Sequence, residues 1–121
     1  MALNHAPGHG LAARRKAALL SAGAQTADEV LAAAEASMAA ALLARPDKRG
    51  EEGGQPWFDR GVQLDRLTGK GAEAAASYAN AAAAWQADPP PTGSMMPAAR
   101  ALSNQCNALA KVKRPHDLRC V

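Results

Sequence analysis

The residues able to do chemistry in this chain are few, and their spacing is the first thing to weigh. His5 and His9 stand four apart, as two metal ligands on a helix would, but Pro7 and Gly8 lie between them and should deny that geometry. His116 and Cys120 repeat the spacing beyond Pro115 with no further ligand nearby. A structural or catalytic metal usually needs three or four ligands, so neither pair predicts a metal site, and no cofactor is expected. Gly69-Lys70-Gly71 could be mistaken for a phosphate loop. A true one needs a preceding strand, a longer glycine loop and a Ser or Thr after the Lys, so the expectation here is a helix–helix turn. No Ser or Cys sits in an evident set with His and Asp, and the carboxylates scatter over polar positions, so the chain is not expected to be an enzyme. Lys111, Lys113 and Arg114 could grip an anionic partner. They also fall where a helix should end, and cations there complement the helix dipole.

Whatever positions these residues must be helical. The chain has 121 residues, enough for one domain, and 48% are apolar. Alanine makes up 32 of those 58 apolar residues by count, and isoleucine is absent. Alanine is the strongest helix former, whereas β-branched residues are scarce and no stretch alternates with the period of a strand. Alanine also buries little area, so at about 25 cal/mol per Å² a core built from it is thin. Close helix approach restores part of that loss through dispersion contacts. A marginal lone domain, or one stabilised by a partner, is expected.

The net charge of +3 is mild but uneven, with Arg100, Lys111, Lys113, Arg114 and Arg119 opposed only by Asp117 near the end of the chain. Two cysteines, Cys106 and Cys120, are a poor disulfide framework and predict an intracellular, reducing compartment, the cytoplasm first. Residues 1–27 carry no acid but hold Arg14, Arg15 and Lys16 beside leucines, a composition shared with mitochondrial or plastid transit peptides. No apolar run approaches the roughly 18 residues of a membrane span.

Punctuation divides the chain. Residues 1–10 read as a flexible leader, and a first helix is predicted from about Leu11 to Ala22. Thr26 and Glu29 have the spacing of a capping box, opening a second helix that Pro46 must stop. Its predicted inner stripe is Leu31, Ala34, Met38 and Ala41 or Leu42. Residues 45–56 read as a polar linker. A third helix follows from Trp57 to about Leu67, a fourth from about Ala72 to Ala87, and a fifth from Pro97 to Arg114. The fifth should face inward with Ala98, Leu102, Cys106, Leu109 and Val112 or Lys113, and residues 115–121 form a tail. The fold class is therefore all-α: a helical hairpin array or small bundle of about five helices, a single domain over 11–114, with hairpins at about 11–45 and 57–87 and a closing helix at 97–114. Within the fourth helix Ala74, Tyr78, Ala81 and Trp85 form one stripe.

That stripe, with Trp57 and Gly61 before it, resembles a tetratricopeptide repeat. In that family an aromatic residue and a Gly four positions later mark the first helix, and spaced Ala, aromatic and Ala positions mark the second. Trp57 and Gly61 fit the first, and Ala74, Tyr78 and Ala81 the second, while Arg60 and Leu64 stand where Leu and Tyr are usual. Ala34, Met38, Ala41 and Pro46 resemble the second helix of a preceding repeat. Residues 57–113 also resemble the three-helix domains of microtubule-interacting and trafficking (MIT) type, through Asp65, Gly69, Glu73, Ala74, Tyr78 and Ala81.

Both resemblances imply association with other proteins. The expectation is an interaction module, scaffold or small accessory subunit, binding a partner helix or peptide in grooves between paired helices, with Trp57, Gly61, Leu64, Ala74, Tyr78, Ala81 and Trp85 as its packing stripe. The MIT-type alternative would bind the tails of ESCRT-type filament proteins. A basic RNA-contacting component of a ribonucleoprotein is the alternative of a different class, and a steep salt dependence of binding would mark it.

Overall fold

In the computed structural model the backbone is described for residues 7–89 and 96–112. Helix α1 spans Pro7–Gly23, α2 Ala27–Leu42, α3 Gln55–Asp65, α4 Gly71–Ala87 and α5 Met96–Val112, and the described residues contain no strand. Helix α1 starts inside the segment expected to be a leader, with Pro7 at its first position, where a missing N–H costs nothing. The capping box at α2 is formed. The Glu29 N–H donates to Thr26 Oγ1 at 3.2 Å, and Glu29 Oε1 accepts from the Thr26 N–H at 3.0 Å. The expected turn before α4 is present too, with Gly69 at φ +83°, a conformation that suits glycine.

Residues 45–56 are not a linker. After a 3-10 turn at Pro46–Lys48, a π-helical turn at Gly50–Gly54 runs straight into α3 and is largely buried. In sequence its glycines read as breakers. They are instead needed for contact: a Cβ on Gly50 would overlap the Asp88 carbonyl, and one on Gly54 would overlap the Trp85 ring.

Each helix packs against the next in chain order, and α1 also reaches α3 and the π-turn. The seams are made of alanine. Among the described residues, the buried apolar core side chains larger than alanine are Val30, Leu64 and Tyr78, with Pro56 buried at the start of α3. One cluster joins Ala34 of α2, Leu64 of α3, Ala74 and Tyr78 of α4, and Ala108 of α5, and so spans four helices, with smaller clusters around Val30 and around Ala81. The phase of α2 differs from the predicted stripe. Ala34 and Ala41 face inward as expected, but Val30, Ala33, Ser37 and Ala40 join them, while Leu31 and Leu42 face solvent. In α5, over residues 96–110, the buried positions are Ala98, Ala101 and Ala108, with Leu102 exposed and Cys106 and Leu109 half-buried. In both helices the small side chains go inside because they permit closer axes than leucine does.

Candidate interaction faces

The predicted packing stripe is brought together, and its regular spacing has a geometric cause. Helices α3 and α4 run antiparallel, and the seven-residue step from Tyr78 to Trp85 matches the seven-residue step from Gly61 back to Gly54. The Tyr78 ring lies over Gly61, and the Trp85 ring lies over Gly54. A methyl group on Gly61 would stand 2.6 Å from Tyr78 Cε1. Phe58 sits between the two rings, 5.4 Å from Tyr78 in an edge-on contact and 5.9 Å from Trp85. Gly61, Leu64, Ala74, Tyr78 and Ala81 are buried, and Trp57 and Trp85 are half-buried against Ala81, Ala82 and Ala101. This seam holds the hairpin together. Burial pushes the Tyr78 phenol up to about 12, helped by the nearby Asp65 charge and opposed by a hydrogen bond from Asn104.

Polar side chains tie the seams. Arg60, at a position where the resemblance led one to expect leucine, donates to Ser77 Oγ, which donates in turn to the Glu73 carbonyl at 3.1 Å. Arg66 reaches from the end of α3 to the Ala24 carbonyl at 2.9 Å, fixing the α1–α2 turn. Glu52, buried on the π-turn, takes the Arg45 guanidinium at 2.7 Å, and Arg14 of α1 lies 3.6 Å away. Burial alone would raise the Glu52 carboxyl, but hydrogen bonds and charge from Arg45, with Arg14 behind, hold it below the ordinary carboxylate value. Asp59 is pushed the other way by burial, with a hydrogen bond from Gln55 opposing.

The outside of the α1–α2 hairpin carries what the inside lacks. Leu19 is 75% exposed and Leu42 69%, and Leu11, Leu20, Leu31 and Leu43 are also open to solvent. Leu19, Leu20, Gly23 and Ala24 join Glu29 and Ala32 around a shallow groove of about 200 Å³. A larger open depression of about 430 Å³ surrounds the α3–α4 turn from Asp65 to Ala72, where Lys70 pairs with Glu73 at 3.2 Å. In sequence Leu31 and Leu42 fit an inward stripe of α2, and the leucines of α1 carry no periodic signal that sets them outside. The available signal is the abundance of alanine, which can fill helix seams without leucine.

Lys111 falls in the last turn of α5, and Lys113 and Arg114 lie outside the described residues, as do His5, His116 and Cys120. Cys106 is disulfide-bonded, so the cysteine argument for a reducing compartment loses its premise. No cluster of potential metal ligands occurs among the described residues, and none of their helices is long and apolar enough to cross a membrane. The chain matches no protein-family model, no curated protein and no solved structure.

Proposed function

We propose that the protein is a helical-hairpin association module, a scaffold or small accessory subunit, that binds other protein through the exposed leucine faces and the groove of its α1–α2 hairpin. The carrying observation is the inversion of side-chain size: alanine fills the seams, while leucines stand open on α1 and α2. Exposed leucines occur singly on any protein, but this hairpin carries six of them, and apolar surface concentrated in that way supports an interface. A thin core supports the accessory role, since a partner supplies the burial the chain lacks.

Within that reading we favour a tetratricopeptide-like array. Its support is the crossing of Tyr78 over Gly61, the small-against-aromatic contact that the resemblance implies. The MIT-type alternative, three helices acting alone, fits less well because Ala34 of α2 shares the core of α3, α4 and α5.

The test is affinity purification of the tagged full chain from its native source, comparing wild type with a Leu19→Ser, Leu42→Ser double variant. Retention of a stoichiometric protein by wild type, and its loss from a variant of unchanged helicity, is expected. Equal retention by both would refute the leucine face as the binding surface.

A further inference from the structure

We propose that the outer face of the α1–α2 hairpin pairs with the same face of a second copy of this chain, α1 of each copy lying along α2 of the other. The inference rests on the association reading and names its occupant. Charge carries it. Helix α1 holds Arg14, Arg15 and Lys16 and no acid, whereas α2 holds Asp28, Glu29 and Glu35 and no base. Arg14 is engaged with Glu52, but Arg15, Lys16 and Glu35 are exposed. The hairpin face is therefore basic along one helix and acidic along the other, which makes it complementary to itself.

Register sharpens the point. Leu11, Arg15 and Leu19 recur every four residues and share one stripe of α1, and Leu31, Glu35 and Leu42 share one stripe of α2. Leu19 lines a groove with Ala32, the neighbour of Leu31, and every member of the two stripes is exposed. The short connection from Gly23 to Ala27 sets the helices antiparallel, with Leu19 level with Leu31 and Arg15 level with Glu35. A two-fold axis parallel to the helices keeps these levels while exchanging the helices. Arg15 then meets the second copy's Glu35, and Leu19 meets the second copy's Leu31. A two-fold axis across the helices would instead set α1 against α1, bringing like charges together, so only the first arrangement is favoured.

The area is adequate and no more. Helices of 17 and 16 residues are about 25 Å long, and two side by side present a face of roughly 500 Å². Two such faces bury about 1,000 Å², the lower bound for a specific interface, so self-association in the micromolar range is expected.

Sedimentation equilibrium of the full chain between about 10 and 500 μM, a range suited to a minimal interface, tests this. A monomer–dimer equilibrium is expected in wild type. Arg15→Glu and Glu35→Arg, each changing two symmetric contacts, should each weaken it about tenfold. The double swap R15E/E35R should recover most of the loss, and Leu19→Arg should abolish dimerisation with helicity unchanged. A wild-type chain that stays monomeric throughout overturns the proposal, as does a dimer indifferent to Leu19→Arg or one the double swap fails to rescue. The broader association reading survives such a result if a different stoichiometric protein co-purifies and is lost with the leucine variant, so the two failures are distinguishable.

Discussion

Gly61→Ala should destabilise the protein, although the same change in an exposed helix would stabilise it. Replacing a mid-helix glycine by alanine contributes about 0.5–1 kcal/mol through backbone entropy. At position 61 the new methyl would lie 2.6 Å from Tyr78 Cε1 and 2.7 Å from Cδ1, well inside van der Waals contact. The ring has little room to yield, being 2% exposed, braced edge-on by Phe58 and hydrogen-bonded by Asn104. Overpacking costs about 1–3 kcal/mol, and three ring atoms closer than 3.0 Å on a braced ring place this site in the upper half of that range, so the net loss should be about 1–2.5 kcal/mol. Urea denaturation followed by far-ultraviolet circular dichroism measures it. Gly23→Ala is the control: a methyl there meets nothing within 4 Å, so a small gain or no change is expected. In a Tyr78→Leu background the cost of Gly61→Ala should largely vanish, a coupling that additive sites would not show. A neutral or stabilising Gly61→Ala, or strict additivity with Tyr78→Leu, would refute the ring-over-glycine packing.

Trp85→Ala should cost about 3 kcal/mol, near the lower end for a core aromatic because the ring is only half-buried, and should appear as a lower urea midpoint. Thr26→Ala removes one half of the capping box and should cost about 1 kcal/mol by the same assay. The Glu52 carboxyl is held below its ordinary value in the fold, so its stabilisation is complete above about pH 4.5 and lost as pH falls through the lower folded value. Glu52→Gln should therefore flatten the loss of stability in that acid range. An unchanged acid slope would mean that the Arg14–Glu52–Arg45 cluster contributes nothing to folding. Glu29, held low by its cap hydrogen bonds with Thr26 and Gln25, titrates in the same direction and remains in both proteins as an internal reference.

The existence and order of the helices were legible because alanine, proline and the Thr26–Glu29 box are local signals. The phase of each helix was not. Alanine is compatible with either side of a helix, so a pattern of large apolar residues pointed Leu31 and Leu42 inward, when close axial approach excludes them. The π-turn was hidden for a related reason. Gly50 and Gly54 beside charged residues look like a solvated loop unless the partner surface is known, and that surface is the Trp85 ring of α4 and the Asp88 carbonyl at its C-terminal end, more than thirty positions away. The one sequence clue was the shared seven-residue step of the glycines and the aromatics. The Tyr78 and Ala74 stripe was readable because a large residue among alanines leaves little ambiguity about where the gap must be. Pairing of Arg14 and Arg45 with Glu52 required tertiary distances that spacing does not supply.

Alanine seams alter what mutation can do to this protein. In an ordinary core the common injury is lost volume, since most replacements for a buried leucine or phenylalanine are smaller. Here the seam positions Ala33, Ala40, Ala74, Ala81, Ala101 and Ala108 are fully enclosed and already carry the smallest side chain that is not glycine. Every amino-acid replacement that one nucleotide change can make at such a codon, glycine excepted, adds atoms. A saturation scan should therefore show an inverted profile: intolerance to added mass along the seams, even when the newcomer is apolar, and tolerance to truncation at the outward leucines as far as folding alone is concerned. Drift in such a lineage is channelled toward its exterior, because that is where residues can change size without prising the helices apart.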